Sequence, residues 1–593
     1  MNTLITQRVE RLRQYMGEHG LDAFVFPSTD PHCGEYTPDH WKTREWISGF
    51  NGSAGTAVVT LHDAALWTDS RYFLAATEQL NGTPFTLMKE RLPQTPSIAE
   101  WLGQTLPAGS TVGMDGWVNA IQEVEELQRA LSPKGIKVQT SLDPAASLWE
   151  DRPAVPSNAI HIHPVEHAGT EASEKLGMVR KCLTEHQADA IIVSALDDIA
   201  WVLNLRGTDI HCNPVLVSYL VIGHHESTLY ACSSHTDGTV QDYLSALNIS
   251  LKPYDAISSD LSAYPYGRIL LDAAHTNHAI LHSLPSSTEV INTASPIAPL
   301  KAIKSQAEVE GFRQAMIRDG IALVKFLKWL VPAVEAGGET EMSIDRKLTA
   351  LRAEQPLYRD ISFDTIAGYG ANGAIVHYEA TPQTDTPLQP KGLLLLDSGA
   401  QYADGTTDIT RTIALGPLTE EERRDYTLVL KGHIMLARAK FPEGSSGTQL
   451  DAYARFAMWQ EGINYLHGTG HGVGSYLCVH EGPHQIRMNY MPAPLRPYMT
   501  VTNEPGIYRE GKHGVRIENT QLIVPYRTTA FGAFLGFEPL TLCPIDTTPI
   551  ILSMLSPDET SWLNEYHQMV YDKLAPLLDD EHRAWLRNAT RAL

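Results

Sequence analysis

The chain has 593 residues, 43% hydrophobic and 19% charged, a globular composition that excludes an intrinsically disordered protein. Acidic residues outnumber basic ones 69 to 46, and the net charge of −23 disfavours binding to nucleic-acid phosphates or anionic membrane surfaces. No stretch approaches the ~20 consecutive apolar residues of a membrane span, and at ~150 residues per domain the length predicts three or four domains.

The opening Met1-Asn-Thr-Leu-Ile-Thr-Gln-Arg-Val-Glu-Arg-Leu-Arg13 predicts an amphipathic helix of mixed charge, without the apolar core of a signal peptide. It leads to Glu18-His-Gly-Leu-Asp-Ala-Phe-Val-Phe-Pro-Ser28, a charged stretch running into a short apolar strand. Glu185-His-Gln-Ala-Asp-Ala-Ile-Ile-Val-Ser-Ala195 repeats that pattern, displaced by 167 residues. Ile47-Ser-Gly-Phe-Asn-Gly52 is loosely matched by Leu203-Asn-Leu-Arg-Gly207. The repeat predicts two related α/β domains, 1–153 and 154–300, joined through the proline-bearing Leu148-Trp-Glu-Asp-Arg-Pro-Ala-Val-Pro-Ser157. The glycine-rich Asn51-Gly-Ser-Ala-Gly-Thr56 lacks the lysine of a phosphate loop. His161 and His163 alternate like strand positions, and His224-His225-Glu226 suits a turn.

A third domain, 301–593, opens with a helix cap at Ser305-Gln-Ala-Glu-Val-Glu310, and apolar residues recur at helical spacing from Phe312 to Leu330. Leu393 to Leu396 is a continuous apolar run, expected of a strand buried on both faces, and it ends in Asp397. A turn near Asp404-Gly405 then returns the chain through Asp408-Ile-Thr-Arg-Thr412. A hairpin centred between Tyr402 and Ala403 would set Asp397 opposite Asp408, with Thr410 and Thr412 on the same face as Asp408. Thr502-Asn-Glu504-Pro-Gly506 and Val515-Arg-Ile-Glu518-Asn519 repeat the device around Pro505-Gly506. Alternation puts Arg516 beside Glu518, placed to hydrogen-bond a ligand carboxylate. Between the pairs lies His467-Gly-Thr-Gly-His471-Gly-Val-Gly474, whose glycines leave the imidazole of His471 unobstructed.

Asp397, Asp408, His471, Glu504 and Glu518 thus offer four carboxylates and one imidazole within 122 residues. An oxygen-rich set with one nitrogen suits hard or borderline divalent ions, and four carboxylates balance two dications. Each motif alone is commonly structural; together they predict a two-metal hydrolytic enzyme. Towards the C-terminus Trp562, Tyr566, Met569, Val570 and Leu574 have near-helical spacing, as core packing or a dimer contact, and Asp579-Asp-Glu-His-Arg583 is too polar for a lipid-anchor signal. Six scattered cysteines (33, 182, 212, 232, 478 and 543) without a Cys-x-x-Cys pair suit reduced thiols in the cytoplasm.

In the order Asp, Asp, His, Glu, Glu, the third domain resembles the pita-bread metallopeptidases, the group of methionine aminopeptidase, prolidase and aminopeptidase P. Within it, Asp397-Ser-Gly-Ala-Gln-Tyr-Ala-Asp-Gly-Thr-Thr-Asp408, Tyr465-Leu-His-Gly-Thr-Gly-His-Gly-Val-Gly474, Val479-His-Glu-Gly-Pro483 and Phe534-Leu-Gly-Phe-Glu-Pro-Leu-Thr-Leu-Cys-Pro-Ile-Asp546 resemble the long, three-domain cytosolic aminopeptidase P (Xaa-Pro aminopeptidase). In the first domain Ser48-Gly-Phe-Asn-Gly-Ser-Ala-Gly-Thr-Ala57 and Trp67-Thr-Asp-Ser-Arg-Tyr-Phe73 add two more matches; Asn503 departs, where many relatives carry Asp.

The resemblance implies an α/β (α+β) chain of two creatinase-like domains and a pita-bread catalytic domain, releasing the residue before proline from a peptide. It implies two Mn²⁺ ions, with Zn²⁺ or Co²⁺ as substitutes: Asp397 on one, His471 on the other, Asp408 and Glu518 bridging, and Glu504 completing the set. A bridging water would be the nucleophile, Glu504 the general base, and His480 the electrophile at the tetrahedral intermediate. His377 would position the substrate, His467 would line the pocket for the proline ring, and Arg71 would reach towards the substrate tail. A homodimer is implied too. Prolidase would share the five ligands but has one front domain, and methionine aminopeptidase usually has none. A non-catalytic relative would have lost ligands and often carries charged tails.

Overall fold

The computed structural model describes residues 2–232, 237–264 and 266–593. They form two compact units, one comprising the chain up to His163 with Thr170–Ile297, the other Pro164–Gly169 with Ala298–Leu593.

The first unit opens with helix α1 (Asn2–His19), which buries Ile5, Val9, Leu12 and Met16 on one stripe and turns its charges outward. Burying four such side chains contributes ~1.5–3 kcal/mol each, enough to dock an otherwise polar helix. Strands β1 (Ala23–Phe26), β2 (Thr56–Thr60), β3 (Ala64–Thr68), β4 (Thr86–Lys89), β5 (Thr111–Met114) and β6 (Lys137–Gln139) form a sheet of order β4-β3-β2-β1-β5-β6. Strands β7 (Ala190–Val193), β8 (Ser218–Gly223), β9 (Ser227–Ala231), β10 (Ile249–Lys252), β11 (Arg268–Leu271) and β12 (Glu289–Asn292) form a second of order β10-β9-β8-β7-β11-β12. Each sheet has its first strand antiparallel to one neighbour and parallel to the other, and the remaining pairings match as well. The predicted repeat falls on β1 and β7, so the duplication is one of topology as well as sequence. His161 begins a two-residue strand and His224 lies in the bend between β8 and β9.

In the second unit the capping box of Ser305 and Glu308 starts helix α2 (Gln306–Ala336), and Thr340 caps α3 (Glu341–Ala353). Strands β13 (Ile366–Tyr369), β14 (Leu393–Ser398), β15 (Ala400–Tyr402), β16 (Gly405–Thr406) and β17 (Ile409–Ala414) follow, then helices α4 (Glu420–Ala437) and α5 (Gly447–Trp459). After them come β18 (Gly470–Gly472), β19 (Glu481–Ile486), β20 (Thr500–Asn503), β21 (Gly506–Arg509), β22 (His513–Arg516), β23 (Asn519–Thr529), β24 (Gly532–Pro539) and helix α6 (Pro557–Leu574). β14 is central between β13 and β17 and buried along its whole length. The main core packs Phe312 and Met316 of α2, Tyr426 and Val429 of α4, and Leu563, Tyr566, Val570 and Leu574 of α6. The C-terminal apolar stripe is therefore core. No helix among the described residues is long and apolar enough to cross a membrane.

Candidate metal centre

One hairpin supplies two carboxylates. β14 pairs antiparallel with β17, Asp397 opposite Thr410, and the same register continues through β15 and β16. The sequence set Asp397 opposite Asp408; the partner lies two residues on, because the two-residue turn is Ala403-Asp404. A shift of two keeps every side chain on its face, so Asp408, just before β17, still points the same way as Asp397 and Thr410.

A second hairpin supplies the glutamates. Asn503 pairs with Asn519 and Gly506 with Arg516, so one register runs through β20/β23 and β21/β22. Glu504 and Glu518 face each other in the gap between the two ladders, beside Pro505, which has no N–H to donate. The chain does not turn at Pro505-Gly506 as the sequence suggested. It turns at residues 510–512, where Gly511 supplies φ +70°.

His471 lies on β18, and its Nδ1 donates to the carbonyl of Gly472 at 2.9 Å. That leaves Nε2 towards the carboxylates, 3.5 Å from Asp408 Oδ2 and 3.5 Å from Glu504 Oε1. Its neighbour Gly470 is required, since a Cβ there would collide with Thr502 O. One ligand atom each of Asp408, His471 and Glu518 lie within 4.8 Å of one another.

Arg516 is the cation against this acidic cluster. Its Nε and Nη2 donate to Asp397 Oδ2 at 3.1 and 2.6 Å, and Nε reaches Thr410 Oγ1 at 3.2 Å. Thr410 Oγ1 in turn donates to Glu518 Oε2 at 2.8 Å. Asp397, Asp408 and Glu518 are buried, and Asp397 Oδ1 is a buried oxygen with no hydrogen-bond partner among the described residues. Burial, reinforced by Asp397 and Glu504, drives the carboxyl pKa of Asp408 well above its ordinary range. Burial and the neighbouring Asp408 do the same to Glu518. Glu504 is pushed up to about 7, chiefly by burial, against an opposing pull from Arg516. Carboxylates this crowded need more positive charge than one guanidinium brings. The Asp397 oxygen, the His471 Nε2 turned to two carboxylates and an oxygen-rich donor set fit divalent ions.

The remaining histidines surround this cluster. The ring of His480 lies 4.4 Å from that of His471, edge to face. His467 Nδ1 donates to Gly468 O at 2.7 Å, and its Nε2 meets Tyr508 OH at 2.8 Å. Tyr508 OH accepts from Arg516 Nη1 at 2.8 Å, so His467 is linked through Tyr508 and Arg516 to Asp397. His377 follows Val376, whose carbonyl is 3.4 Å from Arg516 Nη2. Arg71 belongs to the first unit, forked onto Asp69 at 2.9 and 2.8 Å with Glu35 at 3.4 Å. Asn503 is fully buried and its amide donates to His433 O at 2.9 Å. Tyr508 escaped the sequence reading; its parity with Gly506 on β21, opposite Arg516, was the available signal.

Four family models match successive stretches of the chain. Residues 310–525 match the model of metallopeptidase family M24, and 533–593 match the C-terminal region of peptidase M24. Residues 8–144 and 151–308 each match the creatinase/prolidase N-terminal domain. A probable Xaa-Pro aminopeptidase P of Laccaria bicolor is 41% identical over 98% of this chain and 92% of its own length. Aminopeptidase P2 of Arabidopsis thaliana is 39% identical over 100% of this chain and 89% of its own. The crystal structure of an X-prolyl aminopeptidase from Caenorhabditis elegans, described as a cytosolic enzyme with a di-nuclear active site, superposes with a TM-score of 0.96 at 34% identity, covering 99% of this chain and 100% of that one.

Proposed function

The chain belongs to metallopeptidase family M24, and on that premise we propose that it is a dinuclear-metal aminopeptidase cleaving the bond between an N-terminal residue and proline. The observation carrying this reading is the convergence of Asp397, Asp408, His471, Glu504 and Glu518 on one buried cluster short of positive charge. We assign these five as the ligands of two Mn²⁺ ions, replaceable by Zn²⁺ or Co²⁺. When bound, the ions supply Lewis-acid activation of a water and of the scissile carbonyl.

The side chains do the rest. Glu504 takes the proton of the attacking water and returns it to the proline nitrogen as the bond breaks. His480, against the ring of His471, donates to the developing oxyanion. His377 orients the substrate, and His467 lines the site of the proline ring with Tyr508 fixing its Nε2. Proline offers no N–H at the scissile bond, so recognition rests on ring contacts and the polarised carbonyl. Arg516 neutralises and aims Asp397.

The test is substrate choice. With Mn²⁺ restored to metal-stripped protein, Arg-Pro-Pro should lose its N-terminal arginine while Ala-Pro remains largely uncut. Cleavage of the dipeptide alone would assign a prolidase instead, and no cleavage of either with metal bound would refute the substrate class.

The reading includes a homodimer in the cytoplasm. Helix α5 exposes Tyr453, Phe456 and Trp459 at 43%, 51% and 43%, spaced three residues apart on one face, an aromatic patch of the kind that marks an interface. Trp459→Glu should halve the mass seen by sedimentation. Unchanged mass would place the contact elsewhere or remove it.

A further inference from the structure

The segment between β13 and β14 carries His377 yet has little regular structure, one 3-10 turn at Gly370–Ala374. Such a segment needs an anchor, and one carboxylate provides most of it. Glu341, in the first turn of α3, is wholly buried. Its Oε1 accepts from Tyr369 N at 2.8 Å and Asn372 Nδ2 at 3.0 Å. Its Oε2 accepts from Tyr378 OH at 2.8 Å, Thr386 N at 3.1 Å and Asn372 Nδ2 at 3.2 Å. The donors come from both sides of His377, with Tyr378 its immediate neighbour. Within the same segment Val376 O accepts at 3.4 Å from Nη2 of Arg516, the guanidinium that holds Asp397.

We propose that Glu341 is a positioning residue for the reaction, fixing the segment that presents His377 to the substrate. The inference rests on the role given above to His377. The chemistry of the anchor is specific. A carboxylate has only acceptors, and here it meets two backbone N–H groups, an amide and a phenol, all donors. Burial raises the pKa of Glu341, while the bonds from Tyr369 N, Asn372, Tyr378 and Thr386 N act against that rise and favour the anion. The N-terminal end of α3 adds partial positive charge in the same sense. A neutral isostere must turn its amide N–H₂ towards some of these donors and lose them.

Glu341→Gln should therefore lower kcat for Arg-Pro-Pro by ~10- to 100-fold, the scale of a ~1 Å misplacement of a reacting group. KM should stay within about 3-fold and metal content should not change. The decisive reading is a double-mutant cycle. If Glu341 acts through His377, Glu341→Gln costs less than about 3-fold once His377→Ala is present. An equal cost with and without His377, or a wild-type kcat for the single variant, overturns the proposal. Should Glu341→Gln fail to fold, Asn372→Ala removes the amide donor alone, and its smaller loss must vanish in the same cycle. A His377→Ala chain with full activity would sink both the role of His377 and this inference, whereas release of arginine from Arg-Pro-Pro would still stand.

Discussion

Glu504→Gln should reduce kcat on Arg-Pro-Pro by ~10³-fold or more, with KM within a few-fold of the parent chain. Glutamine keeps the shape, and the backbone bond from Glu504 N to Thr469 O at 2.8 Å persists, so the strand end should not move. What disappears is the proton acceptor, worth ~10²–10⁴-fold in positioned acid–base catalysis. One negative charge facing the cations also goes, and this weakens metal binding. Assaying at saturating Mn²⁺, with bound metal counted in the same sample, separates the two losses. A variant that binds both ions and retains more than a tenth of the activity would rule out Glu504 as the base.

The metal-free chain should become less stable as pH rises from about 5 to about 7, and Mn²⁺ should restore stability most at the upper end. The sign follows from the raised carboxyl pKa values. Glu504 has an ordinary value of 4.5 and reaches about 7 in the fold, and Asp408 and Glu518 are raised as well. Below the ordinary value both states are protonated and there is no difference. Between the two values the folded chain holds protons that the unfolded chain has released, so each unit of pH costs stability until the folded groups ionise. The three titrate as a set, so the window rather than any single residue is expected to appear in the data. Cations replace those protons, and binding at ~1,000 times the dissociation constant stabilises by about 4 kcal/mol. Melting of EDTA-treated protein at several pH values, with and without Mn²⁺, reads this directly. A Mn²⁺ shift independent of pH would mean that the ions do not occupy these carboxylates.

Much of the site was legible because its chemistry lies in local motifs. Each acid sits at a strand end marked by its own sequence, and alternation alone placed Thr410 and Arg516 on the proper faces. The two hairpins differ from their local sequence signals for physical reasons. Asp404-Gly405 marks a turn without fixing which pair of residues closes it, so the register came out two residues away. Pro505-Gly506 looks like a turn, yet there the proline interrupts a ladder that continues on its far side. Strand parity could place Tyr508 on the face of Arg516, but the partners of Glu341 and Tyr508 were not legible. Their significance lies in contacts with residues such as Thr386 and His467, 45 and 41 positions away, and no local pattern announces such a pairing.

The shared register of β20/β23 and β21/β22 also bears on how the site comes into being. Glu504 and Glu518 are brought together by a single hairpin, as are Asp397 and Asp408, and hairpins of this kind close in ~1–10 μs. Both acidic half-sites can therefore form early, from sequence-local contacts. Uniting them with His471 depends on the burial of α2, α4 and α6 in a common core, a search over distant parts of the chain that is slower by its topology. A divalent ion held by carboxylates from both halves would stabilise only the completed arrangement, so its arrival would reward the last step of folding and not the first.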